Sequence, residues 1–145
     1  MTSSSGCGPF ALVLDVETLG LPENYRAPVD RVESWPLILE IAWQVIDGRG
    51  DVLRERSFFV CPPGLDYDTQ IDGEHVHGIT ANTLLTEGIP SRVPLGVLAD
   101  DVRVFSPSFV AHNADFDARV VGAAYHRGGE PSEGVHKQAP VRAHL

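Results

Sequence analysis

The stretch Phe10 to Gly20, FALVLDVETLG, constrains this chain more than any other. Five apolar residues run into two carboxylates, Asp15 and Glu17, two positions apart. Side chains alternate faces in a β-strand, so the two acids point the same way. The residues ahead of them are apolar on both faces: Phe10, Leu12 and Leu14 on one, Ala11 and Val13 on the other. That pattern predicts a central strand covered on both sides. Two like charges at the end of such a strand repel each other and lose solvation. No Lys or Arg lies close in sequence to neutralise them. A hard divalent cation such as Mg²⁺, which takes carboxylate oxygens, does so. The alternative is a strand that simply ends there, with both acids in water.

At 145 residues the chain makes one domain with a sizeable core, and 43% hydrophobic content is globular rather than disordered. Its formal charge of −9 argues against a broad basic surface for duplex DNA or for an anionic membrane. A nuclease stays open, because a metal site concentrates acids and its cations attract phosphate. Cys7 and Cys61 lack the CxxC spacing of a zinc site and are too few for a disulfide framework, so a reducing, cytoplasmic setting is expected. The start, MTSSSGCG, carries no basic region, and the apolar run after it is too short for a signal peptide. No run approaches the length needed to span a membrane.

Residues 1–8 are Ser- and Gly-rich and are expected to be flexible. Strand one spans about Phe10 to Glu17. A long loop follows from Gly20 to Ser34, and long loops beside a site are often functional. Leu37 to Asp47 predicts a second strand with Leu39, Ile41, Trp43 and Val45 on one face. Asp47-Gly48-Arg49-Gly50 is a hairpin turn into a third, antiparallel strand, Val52 to Val60, with Arg54 and Arg56 facing out. Thr80 is placed to cap a short helix to about Glu87. A helix over Pro94 to Phe105, a short strand over Ser108 to Ala111 and a helix over Asp115 to Arg127 complete the order β-β-β-α-α-β-α. The tail, 128–145, has no periodicity and is expected to be disordered.

A second acidic pair, Asp115 and Asp117, opens the last helix, where Asp is favoured as a cap and in the first turn. Capping explains one of the pair and leaves the other in surplus. Asn113 suits a turn beside it. Taken in order, DVETLG, the HGIT turn at 77–80 and AHNADFD resemble the DnaQ-like 3′–5′ exonucleases of the DEDD superfamily, and the run Trp35-Pro36 through LEIAWQVID, with its GLPENYRAP lead-in, resembles a phage and bacterial subgroup of them. The resemblance covers about Phe10 to Arg127. It implies an α/β, ribonuclease-H-like mixed sheet of three antiparallel strands followed by parallel addition, with flanking helices, within an exonuclease-like domain over 9–127. It also implies two Mg²⁺ or Mn²⁺ ions: Asp15 bridging both, Glu17 holding the one that carries the attacking water, and Asp117 the other. Thr18, Leu19, His77 and Asn113 would contact the substrate, a single-stranded 3′ end of DNA or RNA. Leu19 stands where the family usually has Thr. A DNA polymerase subunit is a further expected partner, in replication or repair.

The family's third motif, H-x-x-x-x-D, supplies a general base and a fourth carboxylate. No Asp follows Asp117 here, and His126, His136 and His144 lead to none. A truncated or frameshifted gene is the expectation, with the C-terminal part of the fold missing, an apolar face of the sheet uncovered, and weak activity in this chain alone. Two other readings stand beside an active exonuclease. One is a catalytically inactive relative that binds nucleic acid or a polymerase. The other is an acidic α/β interaction domain whose carboxylates are caps and solvated strand ends.

Overall fold

The computed structural model describes residues 6–71, 73–128 and 141–143. Burial alternates along the first strand, β1 (Ala11–Thr18): Leu12, Leu14 and Val16 are buried, while Ala11, Val13 and Glu17 are half-buried and Asp15 is exposed. The sheet adds β2 (Ile38–Ile46) and β3 (Val52–Phe59) as antiparallel neighbours. On the other side of β1 lie β4 (Ser108–Ala111) and β5 (Val141–Ala143), both parallel, giving the order β3-β2-β1-β4-β5. This is the α/β mixed sheet that the sequence predicts. The Asp47 carboxylate closes the β2–β3 hairpin by accepting the backbone N–H of Arg49 and of Asp51, each at 2.9 Å.

Two long helices, α3 (Arg92–Phe105) and α4 (Ala114–Gly128), cover one face of the sheet. Leu95, Leu98 and Val102 from α3 and Val120, Val121 and Ala124 from α4 pack with Leu12, Leu14, Ile41, Trp43 and Phe109. Between them, the Tyr125 hydroxyl donates to the Leu95 carbonyl. Asp101 lies buried on the sheet side of α3. It accepts the Trp43 indole N–H at 2.9 Å and faces Arg56 at 3.5 Å and Arg54 at 3.9 Å. Arg54 and Arg56 therefore do not face out as their alternation suggests. They turn toward the helix layer because a buried carboxylate there draws the guanidiniums in.

The opposite face is covered only at one end. Glu17 pairs with Glu40 but Thr18 pairs with Ile38, so Leu39 is the extra residue of a bulge. Leu39 then joins Ile71, Ile79, Ala81 and Leu84 in a second, smaller cluster. Ala81 and Leu84 come from α2 (Ala81–Glu87), and α1 (Glu74–His77) lies in the chain between Ile71 and Ile79. The sequence does not signal α1. Four residues carry no period, and the turn is set instead by Gly73 and Gly78, at φ of 84° and 71°. Thr80 caps α2 as its position predicts, its hydroxyl accepting the Thr83 N–H at 3.1 Å. Away from this end the face is open and carries Val13, Ala42, Gln44, Glu55 and Ser57. β1 is thus not doubly covered along its length. The exposed part of the sheet is mixed rather than apolar, with Gln44 donating to Glu55 at 2.6 Å.

The remaining limits follow expectation closely for β2, β3, α2 and β4. Helix α3 starts two residues before Pro94, which needs no N–H partner in a first turn. Residues 1–5 of the N-terminus, expected to be flexible, and 129–140 and 144–145 of the tail, expected to be disordered, lie outside the described residues. Within the tail, Gly128 ends α4 and 141–143 pair with β4, which differs from an irregular segment. Among the described residues, no helix is long and apolar enough to cross a membrane.

Candidate active site

The acids gather where β1 outruns its parallel neighbour. β4 pairs only with Ala11 to Val13, so Asp15 and Glu17 lie beyond the ladder. The chain leaves β4 at Ala111, turns at His112 and Asn113, and enters α4 at Ala114. This short turn carries Asp117 to the end of β1 within the first helical turn, where its N–H donates to the Asn113 carbonyl at 2.9 Å. The two acids of that turn separate cleanly. Asp115 is exposed and paired with Arg119 at 3.1 Å, four residues on, as a helix-surface pair. Asp117 is buried, at 4% exposure, with no cation or side-chain hydrogen bond among the described residues.

Burial, then the nearby Asp15 and Glu17, push the Asp117 carboxyl up to about 7. A fourth acid joins them. The β1–β2 register sets Glu40 directly opposite Glu17. Burial, Glu17 and Asp15 raise the Glu40 carboxyl, and His77 opposes them in part. Glu40 carries one signal in the sequence: it is the lone charge in the strand LILEIAWQV. What cannot be seen without the register is that it lands against Glu17.

Beside Glu17 opens a cleft of about 590 Å³, walled by Thr18, Leu21, Gly73, Val76 and His77. Leu21 and Val76 are 76% and 78% exposed, so two apolar side chains stand free at its rim. Thr18 donates its hydroxyl to the Gly20 carbonyl at 2.8 Å, which fixes the turn out of β1. His77 accepts the Ile79 N–H on Nδ1 at 3.0 Å, which fixes its ring at the cleft wall. Asp15, Glu17, Asp117, Thr18 and His77 are thus brought to one end of the sheet. Leu19 instead packs against the second cluster, and its N–H is held by the Leu37 carbonyl at 2.9 Å. Asn113 is exposed at the turn before α4 and does not line the cleft. A separate apolar cavity of about 500 Å³, between Leu37, Val60, Pro62 and Ala124, contains none of these acids.

The donor set suits a hard cation: carboxylates only, one of them buried, with no Lys or Arg among the charges that shift them. Among the described residues, no three such groups are gathered tightly enough to hold an ion.

No protein-family model and no curated protein matches the chain. Solved structures do. Escherichia coli exonuclease I in complex with a dA16 oligonucleotide superposes with a TM-score of 0.73 at 16% identity, over 94% of this chain and 28% of that one. The same enzyme with a dT13 oligonucleotide gives 0.71 at 17% identity, over 93% and 27%. An exonuclease I complex with SSB-Ct gives 0.69 at 16%, over 92% and 27%. The chain has the fold of the matching part of exonuclease I, and it spans just over a quarter of that enzyme's length.

Proposed function

We propose that this chain is a DnaQ-like, metal-dependent 3′–5′ exonuclease domain that removes nucleotides from single-stranded 3′ ends. One observation carries the proposal. Asp117 is held 4% exposed against Asp15 and Glu17 without a cationic partner, its carboxyl pushed up to about 7. A fold does not keep an uncompensated buried acid beside two others for stability, since that arrangement costs free energy. It is the arrangement that a divalent cation relieves.

Asp15, Glu17 and Asp117 would hold Mg²⁺ or Mn²⁺. When bound, the metal supplies an activated water and charge stabilisation for the leaving 3′ oxygen. The chain's own residues do the rest. Glu40 adds negative charge behind Glu17 and so favours a cation there. Thr18 and His77 line the cleft that would receive the terminal nucleotide. Leu21 and Val76 give that nucleotide apolar contact. The exonuclease I structures contain single-stranded oligonucleotides, which supports a single-stranded substrate here, and a net charge of −9 argues in the same direction against broad grip on a duplex.

The test is digestion of a 5′-labelled single-stranded oligonucleotide with Mg²⁺ or Mn²⁺, beside a Glu17→Gln control. A weak one-nucleotide ladder from the 3′ end, absent in the control, is expected, because the chain lacks the third motif's base and fourth carboxylate. A folded sample that binds the oligonucleotide in metal yet leaves it intact would instead establish the inactive, binding-only reading.

A further inference from the structure

The loop between β1 and β2 does more than connect them. Its middle is tied down: Asn24 accepts the Arg26 N–H on its side chain at 2.9 Å and the Ala27 N–H on its carbonyl at 3.1 Å. Ala27 is buried, and its carbonyl accepts from Arg119 of α4 at 3.3 Å. Further along, Arg127 donates to the carbonyls of Val32, at 2.7 Å, and of Trp35. Out of this anchored turn projects Tyr25, 54% exposed, with no hydrogen bond from its hydroxyl among the described residues. Its ring lies 6.5 Å from that of Phe116, tilted by 42°. Phe116 is half-buried, packs against the main core and adjoins Asp117 in sequence.

An exposed aromatic on a pre-ordered turn spends little entropy when something stacks on it. The site beside it is acidic, and the chain as a whole carries −9, so phosphates offer it little purchase outside the metal. Bases do offer it, because every base has a π-face. We infer that Tyr25, backed by Phe116, is a stacking platform for one base of the single-stranded substrate near its 3′ end. The inference rests on the exonuclease reading above and adds to it a residue of the long loop that the cleft itself does not include.

The test is fluorescence anisotropy of a labelled dT10 oligonucleotide with Ca²⁺ in place of Mg²⁺, for the wild type, Tyr25→Ala and Tyr25→Trp, each checked for an unchanged melting temperature. Tyr25→Ala is expected to bind about 5- to 100-fold more weakly and Tyr25→Trp to bind like the wild type. An abasic nucleotide is then moved through the last three positions. At one of them the wild type is expected to fall to the affinity of Tyr25→Ala, which itself loses nothing more there. A wild type that binds while Tyr25→Ala binds equally well overturns the platform and leaves the exonuclease reading standing. An equal loss for both proteins at every abasic position also overturns it. A wild type that binds no oligonucleotide overturns the exonuclease reading, and the platform with it.

Discussion

Asp101 and Asp117 are equally buried, each 4% exposed, and they are surrounded in opposite ways. Asp101 has an indole N–H at 2.9 Å and two guanidiniums within 4 Å. Asp117 has two acids and, among the described residues, no cation. The first carboxylate fixes α3 to β2 and β3, and the fold supplies every partner it needs. The second has a place in the fold but lacks a partner there. Burial alone therefore does not tell a structural acid from a functional one. The sign of the charges around it does.

The contrast is sharpest in activity. Asp117→Asn is expected to lower 3′-end cleavage by about 10²–10³-fold or more, the cost of removing an electrostatic group at the reacting centre. Asp101→Asn, assayed well below its melting temperature, is expected to stay within about tenfold of the wild type. Similar losses in both would erase the distinction. Stability should rank them the other way. Asp101→Ala leaves the Trp43 N–H buried without an acceptor and two Arg side chains unpaired, for a loss of about 2–3 kcal/mol in urea unfolding. Asp117→Ala is expected to lose clearly less near pH 8, because it removes a repelled charge along with some packing.

pH offers a third comparison. An unfolded Asp titrates near 4, and folded Asp117 titrates at about 7. Between these values the folded chain holds more protons than the unfolded chain. The contribution from Asp117 is therefore fully present below about pH 4 and is lost as pH rises through about 7. Glu40, also raised, acts with the same sign. In EDTA the melting temperature should fall between pH 5 and pH 8, and Asp117→Asn should flatten that slope. A slope unchanged by the substitution would show that the buried acid is relieved by something other than protonation. The smallest effect belongs to Arg119→Ala. It removes an exposed pair with Asp115 and one hydrogen bond to Ala27, about 1 kcal/mol together. Its clearest sign should be faster amide exchange at Ala27.

Much of this was legible in the sequence because the signals are local. The period-two runs over 38–46 and 52–59, the Asp47 turn, the Thr80 cap and the strand over 108–111 each depend on residues a few positions apart. What was missed depends on distant partners. Arg54 and Arg56 are read as outward until Asp101, some 45 residues on, is placed beneath them. Ala11 and Val13 are apolar and small, so they do not reveal whether a second layer covers them. Helix α1 is four residues long and is fixed by two glycines rather than by a pattern. At the site, Asp15 and Glu17 declare themselves by sitting at the end of an apolar strand, whereas Asp117 is separated from Asp115 only by the motif resemblance, and the Asp115–Arg119 pair emerges from the helix. Glu40 could not be assigned without the β1–β2 register, and neither Leu21 nor Tyr25 has a local pattern that separates it from ordinary loop residues.

We propose that the charge missing around Asp117 is that of a divalent cation. Mn²⁺ titration followed by electron paramagnetic resonance at pH 7.5 tests it most directly, on the wild type, Asp117→Asn and Asp101→Asn. The wild type and Asp101→Asn should bind Mn²⁺ alike, and Asp117→Asn should bind it at least tenfold more weakly. Equal affinity in all three proteins, or no binding in the folded wild type, would contradict the claim.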